Sequence, residues 1–595
     1  MIWRCLFILM LVGLVVAGCG KKSSETSAGP KSDAPLPEPP LVANCEPGQR
    51  GGRLVIATFG EPKTFNSLTA NESSSTDIIR FLFAGLLNLE MAKQETTPGL
   101  AESWKVEPDQ KTWTFKLRKG LRWSDGQPLT ADDVIFTWEV IYDPKIKPVV
   151  ADAFILAGKK FEVSKVDDLT VRFVTPTPYA PFLEAAGAGV MILPRHKLAA
   201  AVKEGRFESA YGVNSKPEEV VGSGPFRLKQ YKPGELVLLE RNPNFFEVDS
   251  KSQRLPYVDH LMWTTVPNFN AMSLRTLKGE SDLQDVIRQD EAQRFEEEQQ
   301  KGKVKLIDLG LQMEPMLLWF NLNTNVNAKT GQPIVPLAKQ KLFQNQKFRQ
   351  AVSHAIDRQS IVKSAYAGRG EPAYGIYTPA NKRWYNPNIH TYPFSIEKAR
   401  ALLAEIGIAD RNGDGILEDE SGKKIEFTLN TNSGHPVREK IAVLIQDDLK
   451  RVGFDLTFQP VEFNALVDKV NNSYDYDAVL LYFGGDTTDP ANMMNVIKSD
   501  GFTHFWFPRQ KAPATEWEAR MDKLIVANVT TLDFAERKKA FDEIQAILAD
   551  QCPFIAVTSS RGYAAVRADL GNVKPTVVGS TRVSWNAEEL FFRKK

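Results

Sequence analysis

The chain has 595 residues, too many for one ordinary core, and its 43% hydrophobic and 25% charged residues are those of a folded body with several domains. Lys and Arg number 74 against 73 Asp and Glu, a formal charge of +1 that gives no electrostatic reason to seek nucleic acid or anionic membrane. A mean hydropathy of −0.28, with one long apolar stretch at the N-terminus, excludes a polytopic membrane protein.

Residues 1–18, MIWRCLFILMLVGLVVAG, carry one basic residue, Arg4, and an apolar run over 6–16 that is too short to span ~30 Å of hydrocarbon but suits an export signal. The run ends in Val16-Ala17-Gly18-Cys19, which resembles the bacterial lipobox. By that resemblance Cys19 becomes the first mature residue, carries lipid on its sulfur, and anchors the protein to a membrane by lipid alone. Gly20, rather than Asp, follows, so the resemblance implies no inner-membrane retention signal. Residues 19–50 are rich in Pro and poor in large apolar side chains, and they predict a lipidated, disordered tether. With Cys5 lost and Cys19 acylated, Cys45 and Cys552 remain, either as a disulfide in an oxidising compartment or as two unrelated thiols.

In chain order the body alternates its periods. Residues 53–57 read as a buried strand, 76–89 as a helix, and 113–117 as a strand with period-two alternation. The turn 124–128 precedes a helix through Tyr142, with Thr130 as N-cap and acids in the first turn. Strands follow at 170–174, 236–240 and 262–266. In the second half, apolar residues at helical spacing predict helices over 346–367, 437–452 and 535–548, with strands at 425–429, 456–461 and 553–557. Alternating helices and strands mean α/β or α+β domains.

Catalytic patterns fail one by one. None of the six His residues begins a zinc-protease helix motif, no phosphate-binding loop ends in Lys followed by Ser or Thr, and Gly222-Ser223-Gly224-Pro225 lacks the spacing of a nucleophile elbow. Gly368-Arg369-Gly370-Glu371-Pro372-Ala373 fits a dinucleotide fingerprint by letter, yet it follows a helix, and Pro372 stands where a helix should start. The stretch 410–418 does present oxygen groups at Asp410, Asn412, Asp414 and Glu418, with Gly415 at the turn and the Ile416 carbonyl at position seven. That is the front of a calcium loop, although Ser421 stands where the bidentate Glu belongs, and the same residues also favour a plain polar turn. No other cofactor is expected.

Several stretches, taken in order, resemble the extracellular solute-binding protein family 5, the peptide- and nickel-binding receptors of ABC importers. They are Gly51-Gly52-Arg53-Leu54 with Glu61-Pro62-Lys63-Thr64-Phe65-Asn66; Leu100-Ala101-Glu102-Ser103-Trp104; Leu121-Arg122-Trp123-Ser124-Asp125-Gly126; and Leu129-Thr130-Ala131-Asp132-Asp133-Val134. Gly222-Ser223-Gly224-Pro225-Phe226, Leu239-Glu240-Arg241-Asn242-Pro243, Arg349-Gln350-Ala351, Ala355-Ile356-Asp357-Arg358 and the strand 474–481 continue the series.

The resemblance implies a two-lobed α/β periplasmic-binding-protein-like fold, type II and cluster C-like, with an extra domain. The first lobe would hold residues 51–90, 211–310 and 552–595, the extra domain 91–210 and the second lobe 311–551, with the hinge near Gly310 and Gln551. The implied protein is a non-enzymatic, monomeric, membrane-anchored lipoprotein facing the periplasm or cell exterior. It would bind an oligopeptide or dipeptide between the lobes and pass it to an ABC permease with a separate ATPase. Phe483-Gly484-Gly485-Asp486 looks like the segment whose Asp pairs with a peptide ammonium, and Glu61 lies in the loop that looks like part of the cleft. The same fold would equally receive an oligosaccharide, a nickel chelate or haem, and a secreted hydrolase is the alternative from another class.

Overall fold

Strands covered on both faces need unbroken apolar runs. Met316–Phe320 is buried at all five positions, and the long strand Phe554–Arg567 is buried over its first six. These two lie at the centre of a computed structural model that describes residues 34–146, 148–156, 158–327, 330–482 and 488–594. Cys19 and the segment Phe483, Gly484, Gly485 and Asp486 lie outside the described residues.

Among the described residues, twelve strands share one sheet, whose main path runs Phe226–Lys232, Leu236–Arg241, His260–Thr265, Arg53–Thr58, Leu283–Ile287, Phe554–Arg567, Met316–Phe320, Ala478–Leu481, Glu426–Asn432, Asp455–Val461. Phe554–Arg567 belongs to both halves. Its Phe554, Ile555 and Ala556 pair antiparallel with Trp319, Leu318 and Leu317. Its Arg561 to Arg567 pair with Leu311 back to Val304. Between them, Thr558, Ser559 and Ser560 face the short strand Gly370–Pro372.

Two packing cores lie on either side of that change. The first gathers Leu54, Phe65, Trp113, Trp123, Trp138 and Trp263, so the 91–210 segment and the first lobe share apolar packing. The second gathers Trp319, Phe343, Phe348, Phe427, Ile445 and Phe541. It also contains Cys552 and Phe554 to Val557. The chain therefore changes lobe near Thr558 to Arg561, further on than the expected Gln551, because hydrogen-bond partners change inside one uninterrupted strand.

Several recognised stretches prove to be scaffold. Buried Asp133 accepts the Thr130 amide at 3.0 Å, the Trp123 indole at 3.3 Å and the Arg195 amide at 3.0 Å, tying the start of helix Ala131–Ile141 to two loops. A Cβ on Gly222 would lie 1.9 Å from the Leu82 carbonyl oxygen, so the Gly-Ser-Gly-Pro stretch serves close backbone approach, and Ser223 accepts the Ala84 amide at 3.0 Å.

Four local expectations are corrected. The helix expected over 76–89 is Ser73–Leu82, because Phe83 is extended and Leu87–Glu90 pairs with Glu95–Pro98 as a hairpin. The helix expected over 346–367 is two, Gln346–Ala355 and Arg358–Ala365, since the Asp357 side chain caps the second by accepting the Ser360 amide. Residues 34–50 do not behave as tether: Leu41–Val42 pairs parallel with Glu247–Val248, and Arg118 donates to the Pro39 carbonyl at 3.0 Å. The Cys45–Cys552 disulfide is absent. Cys45 packs on the first core beside the Tyr257 hydroxyl, 4.0 Å away, while Cys552 closes helix Phe534–Gln551 inside the second core and donates to the Ala549 carbonyl. Burial pushes both thiols up to about 11.

The Arg358 guanidinium is buried, its pKa pushed down to about 10 by desolvation, and it donates to the carbonyls of Ser353 at 2.7 Å, Ala556 at 2.9 Å and Ala373 at 3.0 Å. Arg358→Leu leaves those carbonyls without a donor and should cost roughly 3 kcal/mol, read as a lowered urea midpoint with unchanged slope.

Candidate functional site

In the second half of the sheet Glu426–Asn432 and Ala478–Leu481 run parallel, so their C-terminal ends open side by side at one edge. Sites in open α/β sheets form at such edges. The chain leaving Asn432 enters helix Pro436–Val452, whose N-cap, His435, accepts the Arg438 amide through its ring nitrogen at 3.3 Å. The chain leaving Leu481 presents Tyr482, 45% exposed, immediately before residues 483–487.

Arg438 joins the two ends. It is 5% exposed, donates to the Asn432 side-chain oxygen, and lies with its guanidinium 4.7 Å from the centroid of the Tyr482 ring. Its Nε has no hydrogen-bond partner, and among the described residues no carboxylate pairs with it. Burial lowers its pKa from the ordinary guanidinium value, with the Tyr482 hydroxyl opposing that shift. A buried cation left this way costs free energy unless an anion arrives.

The segment 576–584 brings a second cation, Arg582, toward Tyr482. Arg582 donates to the Gln312 side-chain oxygen at 2.8 Å, and Tyr482 lies within electrostatic range of its charge. Asp285 fixes this segment by accepting the Val583 amide at 2.7 Å, the Ser584 amide at 2.9 Å and the Ser584 hydroxyl at 2.8 Å. Asp77 accepts the Ser580 hydroxyl at 2.5 Å, and Arg80 bonds the Thr581 hydroxyl. The segment is thus positioned by half-buried acids on two other elements.

The remaining expected site residues fall elsewhere. Glu61 accepts the Tyr231 hydroxyl at 3.1 Å on the first lobe and does not touch the Arg438 cluster. In the polar loop, Asp410 accepts the Gly413 and Gly415 amides at 2.8 and 3.0 Å, and Asn412 and Asp414 accept the Asp414 and Ile416 amides, each at 2.8 Å. Among the described residues, no three His, Cys, Asp or Glu side chains converge as a metal centre would need. A surface concavity of about 750 Å³ beside this loop, lined by Leu337, Lys341, Ile408 and Lys424, contains none of the Arg438 cluster. Sequence reasoning missed Arg438, Tyr482 and Arg582. The available signal was a cation two residues into a helix that follows a strand, which marks a ligand edge only once the sheet order is known.

The family model for bacterial extracellular solute-binding proteins, family 5, matches residues 95–504. The chain belongs to this family. As a family 5 protein it is 30% identical over 586 residues to the oligopeptide-binding protein AppA of Bacillus subtilis, covering 96% of this chain and 95% of that one. The structure of that AppA in complex with a nonapeptide superposes with a TM-score of 0.67 over 92% of this chain and all of the other. The periplasmic binding protein MelB of Agrobacterium fabrum, in complex with stachyose, shares the fold at a TM-score of 0.71 and 22% identity, covering 94% of this chain and 89% of that one. The two-lobed α/β architecture is that of family 5, whose relatives here are substrate-binding proteins rather than enzymes.

Burial raises the Asp77 carboxyl to about 6, with Asp285 adding to the rise and Ser580 opposing it. The folded pKa exceeds the unfolded one, so the native state holds the extra proton between about pH 4 and 6 and this contribution to stability falls as pH rises through that window. Asp77→Asn should flatten the slope of urea midpoint against pH between 4 and 6.5. Glu588, raised to about 7 by burial and Glu589, should leave a residual slope at higher pH that Glu588→Gln removes.

Proposed function

We propose that this protein is a lipid-anchored receptor that closes its lobes on a peptide and delivers it to an ABC permease. The observation that carries the reading is Arg438, a buried guanidinium with an unused donor at the edge where two parallel strands open. A peptide carboxylate supplies the anion this cation lacks, through charge-assisted hydrogen bonds. Asp486 takes the ligand's ammonium, and Phe483, Gly484 and Gly485 are the neighbouring residues that the family resemblance places in the same binding segment. The likeness to AppA, bound to a nonapeptide in its structure, favours a peptide ligand. The fold shared with a stachyose-bound protein keeps an uncharged oligosaccharide as the second reading.

Mass spectrometry of small molecules carried through purification separates the two readings. Peptides are expected; sugars would overturn the proposal. With a synthetic peptide identified in this way, Arg438→Met should weaken binding by about 30-fold or more, from loss of a buried charge pair of ~2–5 kcal/mol. Amidating the peptide C-terminus should weaken wild-type binding by a similar factor and add little to the variant's loss. Asp486→Asn with an acetylated peptide forms the corresponding cycle at the other end. Additive losses in either cycle would remove that residue from its role. Anchoring at Cys19 has its own readout: Cys19→Ser should leave the membrane fraction and take up no labelled fatty acid.

A further inference from the structure

The hairpin formed by Leu87–Glu90 and Glu95–Pro98 is rooted in the first core, where Leu86 and Leu87 are fully buried. Its tip, residues 91–94, reaches the other lobe. Gln94 adopts a left-handed φ of +59°, is 3% exposed, and donates through Nε2 to the Ala380 carbonyl at 2.9 Å, with the Met313 sulfur 3.9 Å away. Lys382 donates to the Ala92 carbonyl at 2.7 Å. On the first-lobe side, Thr576 donates to the Met91 carbonyl at 3.1 Å, and the Arg80 guanidinium lies 3.6 Å from the Met91 sulfur.

The acceptor is as firmly held as the donor. Ala380 sits in a turn where Asn381 accepts the Thr378 amide at 3.1 Å and leads to buried Trp384 of the second core. The Thr378 hydroxyl donates to the Gln312 carbonyl at 2.7 Å, on the stretch that crosses between lobes. Two unfavourable features therefore coincide at Gln94. A non-glycine side chain is held at positive φ, and a primary amide is withdrawn from water. The turn's own bonds, from the Lys93 and Gln94 amides to the Glu90 carbonyl at 3.1 and 2.8 Å, hold the left-handed φ, whereas the buried amide is offset only while Ala380 stays within reach. If the lobes part, the amide returns to solvent and its bond to Ala380 is lost.

We infer that residues 91–94 form a clasp that holds the two lobes closed, with Gln94 making the bond that exists only in the closed state. Lys382 reinforces it from the second lobe at a more exposed position. Ala180 donating to the Val529 carbonyl at 2.8 Å is a second interlobe tie on the 91–210 segment, so removing the clasp shifts the balance between closed and open states without abolishing closure.

The test measures interlobe distance by single-molecule fluorescence transfer in the full-length protein, with no ligand added. Dyes are carried on ketone amino acids at Val166 and Val443, both exposed, which leaves the cysteines untouched. Gln94→Ala should lower the ratio of closed to open molecules roughly fivefold, the worth of one buried hydrogen bond. Gln94→Gly should lower it as far, because glycine keeps the left-handed turn without strain and loses only the side chain. Lys382→Met should lower it by a smaller factor and multiply with either. A ratio within twofold of wild type for Gln94→Gly overturns the clasp, as does a wild-type protein that shows only the long distance. Should Gln94→Ala fail to fold, Gln94→Gly and Lys382→Met decide. Since no ligand enters the measurement, its outcome is separate from that of the peptide reading.

Discussion

Both lobes hang on one strand. Phe554–Arg567 gives its first residues to the second lobe's sheet and its last to the first lobe's, so neither half can be completed without the other. Movement between lobes has to be absorbed where the pairing is thinnest. That is Thr558 to Ser560, held by the three-residue strand Gly370–Pro372, together with the crossing from Leu311 to Met316 alongside. The strand turns polar at the same place: Thr558, Ser559 and Ser560 interrupt an otherwise apolar run, and Ser559 donates to the Gln312 carbonyl. Hydroxyls there keep backbone groups satisfied where the ladder changes partners, whereas larger apolar side chains would require one fixed packing. Gly562 completes the arrangement, since a Cβ there would lie 2.7 Å from the Gln312 amide and 3.0 Å from the Arg582 guanidinium.

Several buried cations among the described residues are satisfied within the fold, and Arg438 differs from them. Arg358 is satisfied by backbone carbonyls, and Arg349 donates to the carbonyls of Phe343 at 2.6 Å and Gln551 at 2.9 Å. Arg537 meets both Asp489 oxygens at 2.7 and 2.8 Å. Each is internally complete, and its removal would be read as lost stability. Arg438 has the Asn432 side-chain oxygen, the ring and hydroxyl of Tyr482, and a spare Nε donor. Among the described residues no carboxylate meets its charge, which sets it apart from the cations satisfied within the fold.

The sequence made legible whatever depends on local chemistry. Thr130 and Asp133 spell a helix start, and the structure adds that Asp133 also receives Trp123 and Arg195, contacts that no spacing announces. Period-two alternation located the strand Thr112–Leu117, and helical spacing located Pro436–Val452. Readings that depended on long-range pairing failed for one shared reason. Residues 553–557 look like any buried strand, and nothing in their pattern says that the strand continues to Arg567 and changes lobes on the way. Leu87 to Glu90 continue an apolar helical pattern, but pairing with Glu95–Pro98 outweighs it. Two cysteines left by elimination were compatible with a bridge or with two unrelated thiols, and their places on separate packing cores decide for the thiols. Arg438 escaped notice because its meaning lies in a missing partner, and an absence of that kind is visible only in three dimensions.

The ligand-facing cluster and the crossing between lobes are not separate features. Arg582, within electrostatic range of Tyr482, is bonded to the Gln312 side chain, while the Gln312 backbone accepts the hydroxyls of Thr378 and Ser559 and donates to the Ser560 carbonyl at 2.9 Å. Gln312 is thus bonded to Arg582, to the turn that carries Ala380, and to the middle of the shared strand. Any displacement of the Arg582 guanidinium is therefore felt at Gln312 and, through its backbone bonds, at the middle of the shared strand. Coupling of this kind needs a continuous set of directional contacts with two arrangements, and one short stretch of chain provides the contacts. It follows that a side chain at position 312 too short to reach Arg582 would free that guanidinium while leaving the shared strand bonded to this stretch, because the backbone bonds to Thr378, Ser559 and Ser560 do not depend on that side chain.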